Sequence, residues 1–261
     1  MELEPLQRLT RDLTQAAVTL SRSEARFLVD AYYIMQEDRK RTYNQERALT
    51  ASAEPHTIIS WLAAQAELLE KQIARALDVY SASQPIGLWM REIDGIGPII
   101  AAGLLAHIDI HKAPTVGHIW RFAGLDPTSK WERGQKRPHN AALKTLCWKI
   151  GESFVKVKGK ESDFYGKVYA ERRALEGQKN AAGEYAEQAK AVLLARPTHA
   201  QAATYKQGRL PDGHLHMRAK RYAVKLFLSH LHETWRKQEG LEVPLPYPIA
   251  HLGHTHKIEP K

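Results

Sequence analysis

The residues best suited to chemistry lie in the segment Leu88-Trp89-Met90-Arg91-Glu92-Ile93-Asp94-Gly95-Ile96-Gly97-Pro98-Ile99-Ile100-Ala101-Ala102. The pattern predicts a helix, a Gly-Ile-Gly hairpin and a second helix whose small residues pack against the first. Gly95 and Gly97 permit positive φ and a close backbone approach, and Pro98 suits the first position of a helix, where its missing N–H costs little. Open N–H groups of Gly95, Ile96 and Gly97 at a helix N-terminus would favour a phosphate oxygen. This helix-hairpin-helix pattern implies a grip on a nucleic-acid backbone that reads no sequence. The alternative is a tight turn between two core helices. A dinucleotide fingerprint is excluded, because Ile100 stands at the third glycine position and no strand precedes.

A second set of candidates is cationic. Lys130, Arg133, Lys136 and Arg137 crowd one loop, enough to follow a phosphate track. Trp131 among them either stacks on a base or packs against its own domain. A helix expected near 138–158 has a core stripe of Leu143, Leu146, Cys147, Ile150, Phe154 and Val157, and it adds Lys144, Lys149 and Lys156. A last helix near 213–238 turns Val224, Phe227, Leu228, Leu231 and Trp235 to a core. His214, Arg218, Arg221, Lys225, His232 and Arg236 recur along another side of it, as a phosphate groove or a solvated face would require. The histidine pairs His214/His216 and His230/His232 point to different faces of a helix, and no carboxylate or cysteine completes a recognised ligand pattern. No metal or other cofactor is expected.

Charge distribution points the same way. The 261-residue chain has a formal net charge of +9, yet residues 1–84 sum to −2, residues 130–173 to +7 and residues 206–237 to +6. Two concentrated basic segments suggest a positive face for nucleic acid. Apolar residues at 43% and charged residues at 26% are those of a soluble globule, not a disordered chain. The one cysteine, Cys147, excludes an intramolecular disulfide and a cysteine-based zinc cluster. No apolar run reaches the roughly 18 residues of a membrane span, and the acidic start Met1-Glu2-Leu3-Glu4 is unlike a secretory signal. A cytoplasmic, nucleoid-associated protein is expected.

Four motifs occur in order: Ile93-Asp94-Gly95-Ile96-Gly97-Pro98, Ala101-Ala102-Gly103-Leu104-Leu105-Ala106-His107-Ile108, Trp120-Arg121-Phe122-Ala123-Gly124-Leu125-Asp126-Pro127 and Asn140-Ala141-Ala142-Leu143-Lys144-Thr145-Leu146. Over roughly residues 60–160 the series resembles the C-terminal domain of Piv-like DEDD insertion-sequence transposases and invertases. The resemblance implies a domain that binds DNA, and in RNA-guided members RNA, and that supplies a serine nucleophile. A RuvC-like N-terminal domain supplies acidic metal ligands in that family, and the first 84 residues here show no strand signal for one. The implied serine position falls on Ser129, earlier than in the family pattern, with Arg133 before Gly134. A nucleophilic serine also needs an activating base, and spacing locates none; a turn hydroxyl is the plainer reading of Ser129.

The elements that must hold these residues read as helices throughout, so the expected class is mainly α. Leu6, Leu9, Leu13, Ala17 and Leu20 form one amphipathic stripe. Ser21 or Ser23 caps a second helix carrying Phe27, Leu28, Ala31, Ile34 and Met35. Ile58, Leu62, Ala66, Leu69, Ile73, Leu77 and Tyr80 mark a third, whose narrow stripe suits coiled-coil pairing. The expected division is a helical arm at 1–84 for oligomerisation or partner binding, a helix-hairpin-helix domain at 85–240 and an extended tail at 241–261. The function expected is DNA binding, with RNA possible, by a homo-oligomer of mobile-element origin. The alternatives are a recombinase component using Ser129 with a partner-supplied metal site, and a protein-interaction module with a basic face.

Overall fold

The computed structural model describes residues 8–53, 56–129, 131–246, 249–250, 253 and 255–261. Among them are eleven α-helices, two short 3₁₀ segments and no strand, so the fold is mainly α. The chain divides into two units, one of residues 1–92 and 97–109, the other of residues 93–96 and 110–261.

The first unit begins where Thr10 caps the short helix α1 (Arg11–Gln15). Leu6 of the expected first stripe lies outside the described residues, and the rest of that stripe is broken into α1 and a 3₁₀ turn at Ala16–Thr19. Helix α2 (Arg22–Ala51) starts at a capping box: the Ser21 hydroxyl accepts from Glu24 N–H, and the Ser21 N–H donates to the Glu24 carboxylate at 2.8 Å. Helix α3 (Thr57–Ala82) returns antiparallel to it, since Gln36 meets Glu70 and Tyr43 meets Glu67. That seam is largely polar, with Arg39 Nε on the buried Glu70 carboxylate at 2.5 Å. The expected apolar stripes therefore face inward only in part. Ala25, Val29, Ala66 and Leu77 are buried, whereas Phe27 is 72% exposed, Ile34 58% and Ile58 64%.

The boundary expected at residue 84 is not where packing divides the chain. Helices α4 (Pro85–Arg91) and α5 (Pro98–His107) belong with α2 and α3, and α5 supplies the fully buried Ala101, Ala102 and Leu104. Gly87 lets α4 turn back onto α3, because a Cβ there would collide with the Ser81 backbone carbonyl.

The second unit is built around α11 (Asp212–Gln238), joined by α6 (Val116–Phe122), α7 (Ala141–Val157), α8 (Tyr165–Ala181), α9 (Ala186–Ala195) and α10 (Ala202–Lys206). The apolar stripes expected for α7 and α11 are its core: Leu143, Ile150, Phe154, Phe227, Leu228 and Leu231 are completely buried. Phe154 stacks on Tyr165 at 5.0 Å, and both rings meet Phe227 edge-on. The C-terminal residues that are described dock on the unit. Arg236 Nε donates to the Glu242 carbonyl at 2.5 Å, Lys257 pairs with the buried Glu233 at 2.8 Å, and His230 Nε2 meets the Ile258 carbonyl at 2.8 Å. No helix among the described residues is long and apolar enough to cross a membrane.

Two histidines of α11 couple this packing to pH. His230 bridges the Tyr165 hydroxyl and Ile258, and His232 Nε2 meets the Ala113 carbonyl at 2.8 Å. Burial lowers both below the ordinary 6.5, because it penalises the imidazolium. The unfolded chain therefore binds these protons first, so stability is full above about 6.5 and falls as pH drops below it. Thermal melts are expected to hold steady from about pH 8 to 7 and to fall toward pH 5.5; a melting temperature that rose on acidification would contradict this packing.

Candidate nucleic-acid interface

The three glycine-turn candidates are in different settings. Ile93 and Ile96 are buried, and Gly95 turns between them at φ +92°. The Gly95 carbonyl accepts from Ser153 Oγ of α7 at 2.6 Å, and a Cβ on Gly95 would come within 3.1 Å of that oxygen. Asp94 accepts from Ser162 Oγ at 2.6 Å and from Lys160 Nζ at 3.1 Å. These donations hold its carboxyl below the usual range, Ser162 contributing most. The turn is thus fastened to α7 and the loop after it, while Gly97, the N-cap of α5, is exposed.

The expected basic stripe of α11 faces largely inward. Arg218 donates to Glu176 of α8 at 2.6 Å and lies over the Tyr185 ring at 4.6 Å. Arg172 donates to the other oxygen of Glu176 at 2.8 Å and Tyr185 OH to the same oxygen as Arg218 at 2.5 Å. Burial alone would raise the Glu176 carboxyl, but donations from Tyr185, Arg218 and Arg172 outweigh it and hold it below its ordinary value. Lys225 stands 4.0 Å above the Trp120 ring, and burial lowers its pKa. Both line a cleft of about 620 Å³ that also takes in Asp126, Thr128 and Ser229. His232 and Arg236 are buried on backbone carbonyls. Of the three α11 cations proposed from sequence, only Arg221 is exposed.

The loop between α6 and α7 is arranged the other way. Its base is closed by Asn140 N–H on the Phe122 carbonyl at 2.8 Å, and the Asn140 side chain caps α7 at Leu143 N–H. Gly124 turns the chain at φ +65° and Asp126 accepts from both the N–H and the hydroxyl of Thr128. Residues 131–138 are then exposed without a break. Arg133, Lys136 and Arg137 lie in that run, Lys144 and Lys156 are exposed on α7, and none of the five is in an ion pair among the described residues. Lys149 is half-buried, and Lys130 lies outside the described residues.

Trp131 is held by its own loop: its indole N–H donates to the Gln135 carbonyl at 2.8 Å, Arg137 lies 5.6 Å from the ring, and the residue is 48% exposed. Sequence reasoning missed Phe122 and Trp148, which are exposed at the end of α6 and on α7. The usable signal was their absence from the apolar stripes of their helices. Ser129 is half-buried, and its hydroxyl has no hydrogen-bond partner among the described residues. No three histidine, cysteine or acidic side chains among the described residues are grouped to hold a metal ion.

This contrast separates structural from free cations. Glu176→Ala removes the buried carboxylate that holds the partly exposed Arg172 and Arg218, and is expected to destabilise the protein by about 1–3 kcal/mol. Arg133→Glu, in open solvent, is expected to stay within about 0.5 kcal/mol of the parent. Urea denaturation of the two variants checks both; equal stabilities would refute the division.

No curated protein and no solved structure matches this chain. Residues 89–165, less than a third of the chain, match the family model described as Transposase IS116/IS110/IS902 family, so this stretch is similar to insertion-sequence transposases.

Proposed function

We propose that the protein binds nucleic acid through backbone phosphates, DNA in preference to RNA, as a component of a mobile element. One observation carries this reading: Arg133, Lys136 and Arg137 project from a run of eight exposed residues whose one carboxylate, Glu132, accepts from Gln135 and is in no ion pair with them among the described residues, while the cations of α8 and α11 are largely committed inside the fold. Unpaired surface cations held on an anchored loop attract phosphates and release their counterions. Lys144 and Lys156 extend the contact along α7. The similarity to a transposase family supports DNA as the partner. The Gly95 turn serves here as the fastener that holds α7 in place, and Gly97 remains open for a phosphate. The exposed Phe27, Ile34 and Ile58 of α2 and α3 suit self-association, which would place several such loops on one nucleic acid.

The combined variant Arg133→Glu, Lys136→Glu and Arg137→Glu tests the reading. It is expected to weaken duplex binding at least tenfold at about 0.1 M salt and to reduce the slope of log affinity against log salt by about two to three. The loss should be the same for unrelated sequences, since phosphates carry no base information. Fluorescence anisotropy with two labelled duplexes of different sequence makes the measurement; an unchanged affinity and slope would end the proposal.

A further inference from the structure

The geometry points to an unpaired nucleic-acid strand, not an intact duplex, as the partner of this loop and of α7. The inference rests on the nucleic-acid reading above and names the form of the ligand. It starts from three aromatic residues left about half in water: Phe122 is 44% exposed, Trp131 48% and Trp148 51%. Two of the rings have a positive neighbour: Arg137 lies 5.6 Å from the Trp131 ring, and Lys220 Nζ lies 5.4 Å from the Trp148 ring while pairing with Glu152; Arg121, next to Phe122 in the chain, is itself exposed.

The rings are also placed in relation to one another. The Phe122 carbonyl holds Asn140, the N-cap of α7, so the end of α6 lies at the start of that helix. Trp148 stands eight residues beyond Asn140, about 12 Å along the axis. That distance matches three to four steps of a strand at about 3.4 Å each. Lys144 lies one turn before Trp148 on the same face of α7, and its Cδ comes within 3.0 Å of an ideal Cβ on Gly124, two residues beyond Phe122. Lys144 thus stands on α7 between Trp148 and the turn that follows Phe122 at the end of α6, with the Trp131 loop anchored at the same end.

Stacking is what such rings offer, and it needs an open base face. In a duplex the base faces are hidden in the stack, so the rings would gain nothing there and the cations alone would bind. In an unpaired strand each ring takes a base while Lys144, Arg133 and Lys136 follow the phosphates. The same surface then holds single strands more tightly than duplexes of equal charge.

The test compares a labelled twelve-residue oligothymidylate with a labelled hairpin duplex of the same phosphate count, by anisotropy at fixed salt, using the full chain. Trp148→Ala and Phe122→Ala are each expected to weaken the single strand about tenfold or more and to leave the hairpin within twofold. Trp148→Phe should retain most of the affinity, because it keeps a ring. Circular dichroism shows whether each variant is folded. Equal losses on both ligands, no loss on either, or binding of the hairpin alone would overturn the inference while leaving phosphate binding standing. Binding of neither ligand by the parent protein would overturn both readings and favour an acidic protein as the partner of this face.

Discussion

Charge taken out of water must be met by opposite charge or by a hydrogen-bonding partner, and in this chain that requirement decides which cations can act on anything outside it. Helix α11 is the case in point. Leu215, Ala219, Phe227 and Leu231 bury one side of it, but neighbours also reach the side that carries its cations. Arg218 is therefore drawn onto Glu176 and Arg236 onto backbone carbonyls, with Lys225 laid over Trp120. The basic residues of the helix thus take part in holding it, beside its apolar ones. Once those charges are used internally, the positive surface passes to the segment that cannot be buried, the exposed run 131–138, and to the outer face of α7.

The same logic explains what the sequence discloses and what it hides. The stripes Leu143, Leu146, Ile150, Phe154 and Val224, Phe227, Leu228, Leu231 are legible because helical periodicity alone sets them, and they form the core as read. The basic stripe of α11 is equally periodic, but periodicity says only that its residues share a side. Whether that side meets water depends on Glu176, 42 residues away from Arg218, and on a C-terminal segment folded back on the helix. In α2 the apolar stripe of Phe27, Leu28, Ala31, Ile34 and Met35 includes the exposed Phe27 and Ile34, whereas the residues the helix buries include Ala25 and Val29. Small residues allow the close approach that two paired helices need, and their weak hydrophobicity makes that face hard to see.

The glycine turn shows the limit in another form. Gly95 does adopt positive φ, the property that its sequence context predicts. Which group then meets the turn is decided by a contact 58 residues away, where Ser153 donates to its carbonyl. Local conformation is readable from a glycine pattern, but its partner is not. The division of the chain follows a similar rule: the helices on either side of the turn go with α2 and α3, while Ile93–Ile96 between them goes with α7 and α11.

The position of the basic loop also bears on how it can bind. A loop free at both ends loses its conformational entropy when it meets a ligand, and that loss weakens binding. Here the chain is fixed at one end by Gly124 and the Asp126–Thr128 turn, and at the other by Asn140, whose N–H is held by Phe122 and whose side chain caps α7. Within it Trp131 is tied to Gln135, and Gln135 to Glu132, the one carboxylate between residues 131 and 138. Much of the ordering is thus done before any ligand arrives, and the internal bonds are made by Trp131, Glu132 and Gln135. Arg133 and Lys136 are left out of these bonds, so the residues that stiffen the loop are not the residues that carry its free charge.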